Sequence, residues 1–192
     1  MMEEDDAQLM CRTRDGDTAA FSELFARWRV PMVRFAVRYT GDQARGEELA
    51  QDVFLKIYAA RTRYEPREPF RAYIFKVATN HCLNTVMRAE HRHGKVSMDA
   101  EGAPTLAAPR SDPEALVDAA ALQRRVRIAV AGLPERQRAA LLLQKEEGLG
   151  YEEIAAALDT SVSAVKSMLN RARGALLEEL SPWLPPAAGG AA

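Results

Sequence analysis

The chain is 192 residues long, 47% hydrophobic and 28% charged, with a formal net charge of −1. That is the balance of a soluble globular protein, with room for one large domain or two small ones. No apolar run approaches the ~20 residues of a membrane span, "MMEEDDAQLM" lacks the layout of a secretion signal, and Cys11 and Cys82 are too few for a disulfide framework.

Taken in order, the elements all read as helical, and no segment alternates as a strand would. Residues 1–14 are expected to form a flexible acidic N-terminus. Asp17 can cap a helix over "TAAFSELFARW", with Phe21, Leu24, Phe25 and Trp28 on one face. Pro31 opens a second helix, since proline is tolerated in a first turn. Gly41-Asp42 reads as a stop followed by a cap, leading into "ARGEELAQDVFLKIYAA". A basic loop, "RTRYEPREP", precedes a long helix that starts at Pro69 and runs through "FRAYIFKVATNHCLNTVMRAEHR". The stretch from Gly94 to Pro113 is rich in Ala, Gly, Pro and acid and predicts a flexible linker over 94–115. Four more helices follow, and "PPAAGGAA" predicts a disordered tail over 183–192. The fold class is therefore all-α, with two small helical domains over 15–93 and 116–182.

Charge is unevenly spread. Residues 54–95 hold nine Lys and Arg against three acids, whereas 96–121 hold five acids against one Arg. A basic segment inside a near-neutral chain is the footprint of a DNA-contacting face, although most charge runs are solvated surface.

"YEEIAAALDTSVSAVKSMLNRAR" has the pattern of a helix-turn-helix. Ala155 is the small residue at the crossing, with Ile154, Leu158, Val165 and Met168 around it, and Ser161 caps the second helix. Asp159 occupies the turn, where a left-handed conformation is needed. At 100° per residue, Val165, Met168, Leu169, Ala172 and Leu176 share one face. Ser163, Lys166, Ser167, Asn170, Arg171 and Arg173 share the other, free to reach bases and phosphates. On the long helix, Ile74, Ala78, Cys82 and Val86 form an apolar series. Lys76, Asn80, Asn84 and Arg88 lie opposite it, and asparagine can read a base edge. Tyr64 in the basic loop is an aromatic that could stack on an unpaired base.

The order of these features resembles the extracytoplasmic-function sigma factors of the bacterial sigma-70 family. "GDTAAFSELFARW", "GDQARGEELAQDVFLKIY", "FRAYIFKVATNHCLN" and "LPERQRAALLLQKEEGLGYEEIAAALDTSVSAVKSMLNRAR" fall in family order with family-like gaps. The resemblance implies a sigma-2 domain in the first half and a sigma-4 domain in the second. It implies that Glu47, Glu48, Gln51 and Asp52 grip the β′ clamp helices of core RNA polymerase. Tyr64, Asn80 and Asn84, flanked by Lys76 and Arg88, would then capture a −10 base. Lys166, Ser167, Asn170 and Arg171, with Ser163 and Arg173 beside them, would enter the −35 major groove. Tyr73 departs from the family's usual Trp. The implied protein is a cytoplasmic, non-enzymatic initiation factor without cofactor or metal, bound by an anti-sigma partner and not inserted in a membrane.

A linker of about 20 residues reaches at most ~65–70 Å when extended, comparable with ~70 Å for two turns of DNA. Two rival readings remain open at this level. One is a stand-alone helix-turn-helix regulator, which has no use for the "GEELAQDVFLKIY" surface or the asparagine stripe. The other is a metal protein using His81, Cys82, His91 and His93, whose spacing contains no paired CxxC or HxxxH.

Overall fold

The computed structural model describes residues 5–67, 69–93 and 113–183, with backbone alone for 86–93 and 113–120. Among the described residues every regular element is helical. The order is α1 (Asp6–Arg14), α2 (Thr18–Thr40), α3 (Gln43–Ala59), a 3-10 turn at Arg61–Arg63, α4 (Phe70–His93), α5 (Pro113–Ala131), α6 (Glu135–Lys145), α7 (Tyr151–Ala157), α8 (Val162–Leu180) and a 3-10 turn at Ser181–Trp183. The expected linker lies outside the described residues as far as 112, and its last three positions already belong to α5. Of the expected tail, Trp183 closes the final 3-10 turn, and the remainder lies outside the described residues.

Local chemistry sets the helix ends. Asp17 Oδ1 accepts from the backbone N–H of Ala19 at 2.9 Å and Ala20 at 3.1 Å, satisfying two donors at the start of α2. Gly41 closes α2 at φ 72°, a left-handed conformation suited to glycine, and Asp42 Oδ1 accepts from Arg45 N–H at 2.8 Å to open α3.

Two expectations need correction. Residues 6–14 are the helix α1, not a flexible tail: Leu9 and Met10 are fully buried. Asp6 also fixes α1 to α2, with one carboxylate oxygen 2.9 Å from Arg27 Nη1 and the other accepting from Trp28 Nε1 at 2.9 Å. Pro31 does not open a helix; it sits inside the 23-residue α2. A mid-helix proline costs about 3 kcal/mol. The buried stripe of Leu24, Met32, Phe35, Ala36 and Tyr39 crosses it unbroken. Burying a large apolar side chain contributes ~1.5–3 kcal/mol, so three or four of them outweigh one lost hydrogen bond.

α2 and α3 pack as an antiparallel pair close enough that a Cβ at Gly46 would lie 2.5 Å from Val37 Cγ2. α4 lies across them, burying Ile74, Phe75, Ala78 and Cys82. In the second half α6 supplies Ala139 to Leu143 as a continuous buried run, covered by α8. The halves also meet each other, α4 against α7 and α2 against α6, and their buried side chains form one apolar core.

Candidate nucleic-acid interface

The second half presents a helix-turn-helix built from α7, a tight turn and α8. Asp159 adopts φ 48° in the turn, as its position requires. Arg136 donates to the carbonyl of Leu158 at 2.6 Å and pins the turn from α6. Ser161 Oγ accepts from Ala164 N–H at 3.2 Å and caps α8. Gly150, without a side chain to cap α7, instead donates its N–H to Glu153 Oε2 at 2.8 Å. Val165, Leu169 and Ala172 are buried, Ala155 sits 7% exposed at the crossing, and Met168 and Leu176 pack partly under the helix.

On the opposite arc Ser163, Lys166, Ser167, Asn170 and Arg171 are all exposed. Lys166 is steadied over the Tyr151 ring, its Nζ 5.6 Å from the centroid. Arg173 is half-buried and donates to Gln144 Oε1 at 2.7 Å, so its guanidinium braces α8 against α6.

On α4 the two series separate as their spacing predicts. Ile74, Ala78 and Cys82 are fully buried, Asn80 and Asn84 are exposed, and Lys76 is half-buried. The side chains of Val86, Arg88, His91 and His93 lie outside the described residues. Tyr64 requires correction as a stacking residue. It is 3% exposed, with Tyr73 edge-on at 5.0 Å and Phe70 at 6.3 Å between ring centroids. The loop folds back so that this ring joins the core, and neither face is open to a base.

On α3, Glu47, Glu48 and Gln51 are exposed, while Asp52 Oδ2 lies 3.0 Å from His81 Nε2 of α4. Leu55, 67% exposed, continues the same face one turn beyond Gln51. A helical projection of 48, 51, 52 and 55 would have found it. His81 and Cys82 part company as donors: His81 reaches Asp52, whereas Cys82 is sealed in the core and burial pushes its thiol up to about 12. Among the described residues, no group of three or more His, Cys, Asp or Glu is placed to hold a metal ion.

Two family models match in order along the chain: sigma-70 region 2 over residues 24–92 and sigma-70 region 4 over residues 123–176. The chain is 30% identical over 186 residues to the ECF RNA polymerase sigma-E factor of Escherichia coli K12, covering 93% of this chain and 96% of that one. It is 29% identical over 189 residues to the RNA polymerase sigma-H factor of Pseudomonas aeruginosa, covering 96% and 98%. Among solved structures, CnrH in complex with the cytosolic domain of CnrY superposes with a TM-score of 0.68 at 25% identity, covering 93% of this chain and 99% of that one. RpoE bound to the anti-sigma factor NepR from Bartonella quintana has the same fold, with a TM-score of 0.68 at 21% identity, covering 84% and 96%.

Proposed function

The chain belongs to the extracytoplasmic-function group of the sigma-70 family, and on that premise we propose how its two halves divide the work of initiation. As a sigma factor it is a non-catalytic subunit that binds core RNA polymerase and directs it to promoter DNA; bond-making stays with polymerase. We assign polymerase docking and −10 capture to residues 15–93, and −35 reading to 116–182.

The observation that carries this reading is the pairing of two exposed polar arcs with a separate acidic face. Lys166, Ser167, Asn170 and Arg171, with Ser163 at the edge, supply donors and acceptors for the −35 major groove. Arg173, held by Gln144, contributes by bracing that helix, and its free N–H groups face phosphates. Asn80 and Asn84 read a −10 base, with Lys76 and Arg88 supplying positive charge for its phosphates. Glu47, Glu48, Gln51 and Asp52, with Leu55 as an apolar anchor, dock on the clamp. A stand-alone regulator would leave this last surface without a use.

The factor acts as an alternative, signal-responsive sigma held by an anti-sigma partner, in keeping with the RpoE neighbour solved with the anti-sigma factor NepR. No described helix is long and apolar enough to cross a membrane, and the cytoplasm, where core polymerase works, is its setting.

Charge reversal tests the docking face. Glu48→Lys with Asp52→Lys should abolish capture of core polymerase in a pull-down, while a −35 duplex still binds the variant as it binds the parent. Undiminished capture by the reversed variant removes the docking assignment.

A further inference from the structure

The acidic face of α3 is tied to α4 by a polar contact, Asp52 Oδ2 to His81 Nε2 at 3.0 Å. An ionised carboxylate only accepts, so the proton of that bond sits on Nε2, whether the ring is neutral or charged. The His81 side chain is 16% exposed and that of Asp52 48%. The imidazole is therefore mostly enclosed, whereas the carboxylate still meets solvent.

The bond is not what holds the two helices together. Val53 and Ile57 of α3, and Ile74, Ala78 and Cys82 of α4, are buried in the apolar core, and a pair with one partner half in water adds little to stability. Nor does His81 stand out as Asn80 and Asn84 do: it is half-buried, with its Nε2 spent on Asp52.

What the bond fixes is the carboxylate. Glu48 lies one turn before Asp52, and like charges at that spacing repel. An aspartate left free on this face would sample several rotamers and lose that freedom on meeting a partner's cation; one already ordered by an imidazole loses less. Glu47 is reached by Gln43 of its own helix. Asp52 is held from a second helix, so the fold itself aims it.

We propose that His81 is a positioning residue for polymerase docking: its Nε2–H orders the Asp52 carboxylate for a cation of the partner surface, and it acts through Asp52 and not by a contact of its own. This rests on the docking role proposed above for α3.

Full-length variants titrated against core polymerase test it. His81→Leu keeps bulk and loses the donor; His81→Gln keeps an N–H at similar reach. His81→Leu should weaken capture about three- to tenfold, and His81→Gln should stay within about twofold of the parent. In an Asp52→Ala background, itself weakened, His81→Leu should add no further loss. Melting midpoints should stay within about 4 °C of the parent, and a −35 duplex should bind all variants alike. In run-off transcription the half-saturating concentration of factor should rise in step with the loss of capture, at an unchanged plateau. Where His81→Leu lowers the helical circular dichroism, His81→Ala takes its place in the same series.

Parental capture by His81→Leu, a loss that glutamine does not restore, or an equal loss on top of Asp52→Ala overturns the proposal. So does a lowered plateau, which would place His81 in promoter reading. Parental capture by Asp52→Ala removes Asp52 from the docking surface and the proposal with it. Capture weakened by Asp52→Ala but not by His81→Leu removes the positioning role alone and leaves the docking reading standing.

Discussion

Asparagine is a poor choice for the exposed face of a helix, a few tenths of a kcal/mol less favourable than lysine or glutamate. Asn80 and Asn84 nevertheless stand one turn apart on the exposed side of α4, backed by the buried Ala78 and Cys82. The base-reading role proposed for them would give that cost a purpose. Asn80→Ala with Asn84→Ala should leave the fold intact, because alanine is the better helix former, and should leave capture of core polymerase unchanged. Run-off transcription from the factor's own promoter should fall about tenfold or more, in line with ~1–3 kcal/mol per lost base contact. Parental transcription by the double variant would remove both residues from the −10 site. These positions are legible in the sequence because their i, i+4 spacing is a local property. Tyr64 is not. An aromatic between Arg63 and Glu65 in an irregular loop has no period to show which way it faces, and only contact with Phe70 and Tyr73 reveals that it belongs to the core.

Helix boundaries follow the same division between local and distant causes. The caps at Asp17, Asp42 and Ser161 act on donors two or three residues away and can be read directly from residue type. α1 escapes such reading because its sequence carries little amphipathic pattern; Leu9 and Met10 hold it in place against the rest of the first half. Pro31 misleads because local chemistry favours a helix start there, and the long-range burial of Met32 and Phe35 decides otherwise. Two glycines of similar helical setting should respond oppositely to alanine. At Gly174 on α8 an added methyl group would meet nothing within 4 Å, so Gly174→Ala should raise stability by up to ~1 kcal/mol. At Gly46 a methyl group would meet Val37 N and Cα at 2.6 Å. Gly46→Ala should therefore separate α2 from α3 and cost about 1–3 kcal/mol, lowering the melting temperature by several degrees. A thermal melt of both variants checks the pair; equal shifts in the same direction would contradict the close approach of α2 and α3.

At the scale of the molecule, the near-neutral net charge of −1 conceals an acidic face on α3, exposed polar arcs on α4 and α8, and the contact that joins the halves. The two-domain, all-helical layout is legible from the break in composition and the order of motifs. The packing of the halves is not, because Arg34 and Glu147, which pair there, are 113 residues apart and each looks like an ordinary surface charge in its own segment. Above all, this protein should confer promoter choice on polymerase and not find sites by itself. Run-off transcription with core polymerase on a promoter pool read by sequencing, alongside binding of the free protein to the same pool, tests this most directly. A defined set of two-element promoters should be transcribed only when protein and core are both present, with at most feeble binding by the protein alone. Tight, sequence-specific binding by the free protein, with no transcription gained by adding core, would contradict it.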